Sequence, residues 1–374
     1  MRKTVGLAIA YSVLLFAAAG CNTIQANDKQ ADNEGSEGAL YENEVISFVV
    51  PYQAGGGSDV FARFMANYFS KHIEGSPRVQ VENIPGGGSI TGTNEYALSR
   101  QANGRNILTT SASTHIPYIL QQPSVKYDLS KMTPIIGAPT GGVVYTSPEI
   151  AALGMDDLSK QQGELFYAGI SPTGLDLVTL LSFEVLGLDV KAVLGYEGKG
   201  PARVAFEQGE SNIDYQTTTA YKRNVIPLVE EGSAVPLYSL GQMSEDGDLV
   251  RDPQFPELPT IEEIHYDLYG TGPTGDAWEA YKQFVGASFT MQKVIWIHED
   301  APEQHQQLLH ASMETLIKDE QFMAQSEEIL ENYQPLVGEE LQTRIDSMLT
   351  MSPETLEWVS QFLLDTYDVD ITKL

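Results

Sequence analysis

Two glycine-bearing loops carry the residues best placed for chemistry: Gly55-Gly56-Gly57-Ser58-Asp59, and Gly169-Ile170-Ser171-Pro172-Thr173-Gly174. Each lies between a short apolar run and a stretch of helical spacing. Glycine allows a tight turn and close backbone approach, and the first turn of a following helix offers unpaired N–H groups at the positive end of its dipole. A carboxylate there gains about 0.3–1 kcal/mol when exposed and up to about 2 kcal/mol when partly buried. The spacing thus allows anion capture without arginine. Either loop taken singly reads equally well as a tight turn, and finding two strengthens the binding reading. In the second, Asp176 stands three residues after Thr173 and is read as a cap on the Thr173 N–H rather than as a ligand contact.

Other chemistries are poorly supported. Neither loop carries Gly-Lys-Ser/Thr, and Gly55-Gly56-Gly57 does not fit dinucleotide spacing, so no nucleotide site is expected. His298, His305 and His310 lack zinc-ligand spacing and read as surface residues. Glu245, Asp246, Asp248 and Asp252 lack the alternating ligand order of a calcium loop and read as a solvated loop. No Ser, His and acid set declares itself, so no catalytic residue, metal or cofactor is expected, and the chain is not read as an enzyme. His115 is open to two readings, a cleft residue or a satisfied histidine at a strand end. The net charge of −29 excludes nucleic acid as a partner. Screening beyond about 8 Å still leaves local anion capture compatible with that charge.

Such loops need strands behind them and helices ahead. Residues 45–52, 78–83, 106–110, 143–145, 165–168, 191–194 and 212–216 read as strands. Phe61, Phe64, Met65, Tyr68, Phe69 and Ile73 recur at helical spacing, with Ser58 or Asp59 placed to cap. Further helices are predicted at 90–100, 177–185 and 201–208, the last with a proline in its first turn. Alternation of this kind predicts parallel α/β sheets in two lobes, with ligand sites at the carboxyl ends of strands. The stretch 241–275 reads as surface loop with one short helix at 261–264, and 304–374 as mainly helical.

The N-terminus supplies a destination. Arg2 and Lys3 precede an apolar run from Val5 to Ala19, too short to span a membrane, and Ala18-Ala19-Gly20-Cys21 resembles a bacterial lipobox. Residues 1–20 are therefore read as a lipoprotein signal peptide and Cys21, the only cysteine, as the lipidation site. Residues 21–44, nearly devoid of anything to bury, are read as a flexible tether.

At these loops the sequence resembles the extracytoplasmic receptors of tripartite tricarboxylate transporters, the Bug-type receptors. The resemblance rests on Ile46-Ser47-Phe48-Val49-Val50-Pro51-Tyr52 with Gly55 to Asp59; Val81-Glu82-Asn83 with Pro85-Gly86-Gly87-Gly88; Tyr196-Glu197-Gly198-Lys199-Gly200-Pro201-Ala202; and Leu258-Pro259-Thr260-Ile261-Glu262-Glu263. It implies a type II periplasmic-binding-protein fold: two α/β lobes joined by two crossing strands, with a ligand cleft between them. The division expected is 45–145 with 287–374 for one lobe and 146–286 for the other. Carried over by position, Tyr52, Gln53, Gly57, Ser58, Ser111, Thr114, Thr173, Gly174, Tyr196 and Thr217 are the ligand-binding candidates. The implied ligand is a small organic carboxylate held by two pincer loops through backbone N–H groups, hydroxyls and water. The implied partners are the large and small membrane subunits of the transporter, with the receptor a lipid-anchored, extracytoplasmic monomer. A sensory receptor for a membrane signalling protein is the alternative, and a secreted enzyme a more distant one. The second pincer departs from the common Gly-rich pattern, and 241–252 and 269–280 are additions without an assigned role.

Overall fold

The computed structural model describes residues 39–160 and 165–374. Cys21 and the leader lie outside them.

Two five-stranded sheets organise the chain. The first holds β1 (Val45–Val50), β2 (Arg78–Asn83), β3 (Asn106–Ser111), β4 (Met132–Ala138) and the late strand β12 (Lys293–His298), in the order β2-β1-β3-β12-β4. The second holds β5 (Gly142–Thr146), β6 (Leu165–Ala168), β7 (Val190–Val193), β8 (Ile213–Thr217) and β9 (Val235–Ser239), in the order β7-β6-β8-β5-β9. In each sheet four strands point the same way, and one antiparallel strand is inserted between the third and the fourth: β12 between β3 and β4, and β5 between β8 and β9. A hairpin, β10 (Gln242–Met243) with β11 (Leu249–Val250), stands apart. The expected two-lobed α/β architecture is thus present.

The strand and helix expectations near the loops hold to within a few residues. Helices α1 (Gly57–His72), α2 (Ile90–Ser99) and α3 (Ala112–Ile119) follow β1, β2 and β3. Phe61, Met65 and Phe69 of α1 pack with Phe48 of β1 and with Ile295 and Ile297 of β12 in one buried cluster. Each fully buried side chain of this kind contributes about 1.5–3 kcal/mol. Helices Asp176–Val185 and Lys199–Glu207 occupy the corresponding places in the second sheet.

Several expectations are corrected. The expected division after residue 145 cuts through β5, all five residues of which pair with β8; the chain changes sheets at 139–141 instead. The tether was drawn too long, because Tyr41 is fully buried and donates to the Gly104 carbonyl at 2.5 Å, while Glu44 pairs with Arg105 at 2.7 Å. The stretch 241–275 contains the β10–β11 hairpin, and its helix runs Ile261–Tyr269, opened by a Thr260/Glu263 capping box. His305 is buried against Tyr41 rather than on the surface. Asp252 is buried too, although its neighbours Glu245, Asp246 and Asp248 are exposed.

The return crossing runs through helix Asp276–Val285 and a π turn, Gly286–Thr290, into β12. It lies beside the outward crossing, where the Thr140 N–H donates to the Phe289 carbonyl at 2.8 Å. A Cβ on Gly141 would fall 1.9 Å from Asp252 Oδ2 and 2.1 Å from Tyr333 Oη, so only glycine fits this crossing. Among the described residues no helix is long and apolar enough to cross a membrane.

Candidate ligand-binding site

Every described candidate lies at or just beyond the carboxyl end of a strand: Tyr52, Gln53, Gly57 and Ser58 after β1, Ser111 and Thr114 at β3, Thr173 and Gly174 after β6, Tyr196 after β7 and Thr217 at the end of β8. That is where ligands bind in open α/β sheets.

On the first sheet the hydroxyls form a chain. Ser111 donates to Tyr52 Oη from its backbone N–H at 2.8 Å and its Oγ at 2.9 Å, and Tyr52 Oη lies 2.6 Å from Thr114 Oγ1. Since Tyr52 Oη already accepts twice, its proton is left for Thr114. Thr114 Oγ1 is in turn 2.9 Å from Ser89 Oγ, and Ser89 reaches the Ser113 carbonyl at 3.2 Å. Thr114 is fully buried, so it orients Tyr52 rather than facing solvent. Ser89 and Ser113 were absent from the sequence-based set. Ser89 is a buried non-glycine residue at φ 112°, a conformation that costs about 1–3 kcal/mol and collects at functional sites.

The first pincer is shaped by Asp59. It was expected to cap α1, but the N-cap is Gly56, and no side chain caps the helix. Asp59 instead folds back, accepting from Gly55 N at 2.8 Å, Arg63 Nε at 2.9 Å and Asn83 Nδ2 at 2.8 Å. Burial pushes its carboxyl upwards, but these donors outweigh burial and hold it below the usual range. The N–H groups of Gly57, Ser58 and Asp59, in the first turn, have no intrahelical partner. This loop offers an anion what the sequence leads one to expect.

The second pincer differs. Asp176 does not cap Thr173. Its Oδ2 accepts from Ile170 N at 2.9 Å and Ser171 N at 3.1 Å, and its Oδ1 accepts from Tyr167 Oη. Burial foremost, then the Asp176 charge, raises the Tyr167 hydroxyl far above its ordinary range and keeps it a donor. Gly169 N bonds to the Val193 carbonyl, Thr173 N to Ser171 Oγ and Gly174 N to the Ser171 carbonyl; Pro172 has no N–H. Every backbone donor from 169 to 174 is therefore already bonded, within the loop, to Asp176 or to β7. Those of Leu175 and Asp176 remain, beside the Asp176 carboxylate. What this pincer presents is hydroxyls, Ser171 Oγ and Thr173 Oγ1, 3.1 Å apart. Tyr196 packs on Ala168, Ala202 and Ala205, its N–H bonded to the Gly169 carbonyl.

Beneath it, Lys199 Nζ lies 2.5 Å from Asp214 Oδ1, 3.3 Å from Tyr167 Oη and 3.9 Å from Asp176 Oδ1. Sequence reasoning missed this knot because its members are far apart in the chain. His115 proves to be the satisfied histidine: Nδ1 donates to the Ala287 carbonyl at 2.9 Å and Nε2 lies 2.7 Å from Thr110 Oγ1. Burial lowers its pKa to about 4, so it is neutral. Among the described residues no group of His, Cys, Asp and Glu is arranged to hold a metal.

No model of a protein family matches the sequence. The chain is 29% identical over 245 residues to protein BugT of Bordetella pertussis, a match covering 62% of this chain and 69% of that protein. The solved structure of the periplasmic binding protein BugD superposes with a TM-score of 0.56 at 18% identity, covering 88% of this chain and 99% of that one. The chain resembles the Bug-type receptors. Rpa4515 of R. palustris, solved with adipate, shares the same Bug-like fold at a TM-score of 0.56 and 19% identity, over 85% of this chain and 96% of that one. The resemblance read from the loops is thus borne out by an independent sequence match, and the fold by solid superposition.

Proposed function

We propose that this protein is an extracytoplasmic solute-binding receptor that captures a small organic carboxylate and delivers it to a tripartite tricarboxylate-type transporter. The observation carrying this reading is the uncapped N-terminus of α1 at the carboxyl end of β1, with three N–H groups that lack intrahelical partners, at the same end of the first sheet as the Tyr52–Ser111 hydroxyl pair. Rpa4515, of the same fold, was solved with adipate, and BugD is a periplasmic binding protein. Tyr52, Gln53, Gly57, Ser58, Ser111 and Thr173, with Gly174, Tyr196 and Thr217 at the facing sheet, form the proposed site, and Thr114 acts through Tyr52. The leader would be removed, and Cys21 would carry the lipid that holds the receptor beside the transporter's large and small membrane subunits.

Calorimetric titration of the purified protein with mono-, di- and tricarboxylates tests the first half. One acid should bind saturably without being consumed, and turnover of any acid would move the protein to the enzymes. Labelled fatty acid should enter the wild-type protein in cells and not the Cys21→Ala variant; equal labelling would remove the anchor from the account.

A further inference from the structure

The two halves of the site carry opposite charge balances. On the first sheet Asp59 is matched by Arg63 at 2.9 Å. A second cation of interest there is Lys293, the first residue of β12. It is paired in register with Ser111, so the two side chains leave the same face of the sheet as near neighbours. That face is the one α1 covers: Ile295 and Ile297, two and four residues on, pack with Phe61, and Lys293 Nζ lies 5.7 Å from the Phe61 ring. The ammonium therefore sits between the start of α1 and the Ser111–Tyr52 pair. Protein surrounds the ammonium closely, while the residue as a whole is half-buried. Among the described residues it makes no ion pair; Glu331, the carboxylate whose charge acts on it, is bonded to Thr140 Oγ1 and Thr219 Oγ1. Burial lowers the Lys293 pKa, the direction expected of an ammonium still lacking its anion.

On the second sheet the balance reverses. Asp176 and Asp214 are both buried, and Lys199 is the one cation within ion-pair distance of them among the described residues. Two carboxylates and one ammonium leave one net negative charge behind a pincer whose donors from 169 to 174 are already used. A second ligand carboxylate placed there would meet hydroxyls backed by a negative charge.

We infer that Lys293 is the charge partner of the ligand, and that the receptor selects acids with a single carboxylate, held by Lys293 and the start of α1, whose other end is uncharged and polar and faces Ser171 and Thr173. This rests on the receptor reading above and narrows it.

The test uses matched pairs on the purified wild-type protein at fixed salt: 4-hydroxybutyrate against succinate, and 6-hydroxyhexanoate against adipate. The hydroxy acid of a pair should bind at least tenfold more tightly than its dicarboxylate. In Lys293→Met its affinity should fall at least tenfold with the melting temperature of the free protein unchanged, and Lys293→Arg should restore most of it. Tighter binding of the dicarboxylates, or an unchanged affinity in Lys293→Met, overturns the inference and leaves the receptor standing. Absence of binding by every acid overturns the receptor reading and this inference with it. The wild-type comparison decides the ligand class even if the methionine variant fails to fold.

Discussion

Asp59 and Asp176 each fold back onto the loop preceding their own helix, and each fixes that loop through backbone N–H groups rather than by meeting solvent. Because Asp59 is buried and serves three donors, Asp59→Ala should strand Gly55 N and Arg63 and cost about 1–3 kcal/mol, read as a fall in the urea midpoint, with ligand affinity falling in parallel. His115 gives a pH signature. Its pKa of about 4 lies below the ordinary value, so its stabilising contribution is complete above about pH 6.5 and is lost as pH falls through 4. The loss should be on the order of 3 kcal/mol, measured as the difference between wild type and His115→Gln in urea midpoints from pH 7 to 4. At this scale the glycines and hydroxyls were legible because their types announce turns and donors. The partners that use them were not: Asn83 lies 24 residues from Asp59, and Lys199 lies 15 residues from Asp214.

At the scale of elements, the two strand, loop and helix units look alike in sequence and differ in how they spend their donors. Ser58→Pro removes a free N–H from the first turn of α1, where proline is tolerated, and should weaken ligand binding at least tenfold with little loss of fold. Gly174 lies outside the left-handed φ range, and an added Cβ would lie 3.8 Å from the Ser171 carbonyl, an ordinary contact. Gly174→Ala should therefore change affinity less than threefold; an equal loss in both variants would show that the second pincer also donates from its backbone. The strands next to the loops were readable because turn signals bound them. β4 and β12 were not, since strands covered on both sides carry no alternation that marks a face, as in the Val-Ile-Trp-Ile run of β12, and β9, an edge strand with a proline at its second residue, gives no strand signal either. Missing β12 hid Lys293, which only pairing in register brings beside Ser111.

Across the whole molecule, the crossings are tied by a chain of donors. Gly141 N donates to Thr218 Oγ1 at 3.1 Å, Thr218 Oγ1 lies 2.8 Å from Tyr333 Oη, and Tyr333 donates to Asp252 at 2.8 Å. These residues belong to the crossing, the turn that follows β8, the C-terminal region and the 241–252 addition, which has no role legible in the sequence. Burial pushes the Asp252 pKa up to about 6, only partly offset by Gln254 N and Tyr333. The folded protein thus keeps a proton that the unfolded chain releases, and stability from this group is lost as pH rises from about 4 to 6. Asp252→Asn should raise the melting temperature at pH 8 by more than at pH 5; a pH-independent change would contradict this. The two-lobed plan itself was legible, because its repeating units are local, whereas the place where the chain changes sheets depends on β5 pairing with strands far along the sequence.

The central claim is that the cleft holds a small carboxylate, and the most direct test is thermal unfolding of the purified protein against a panel of organic acids at fixed pH and salt. Binding only to the folded state at a hundredfold excess over Kd adds about 2.7 kcal/mol, so one acid should raise the melting temperature by about 5 °C while its methyl ester does not. A flat response to every acid, or an equal response to acid and ester, would contradict the account.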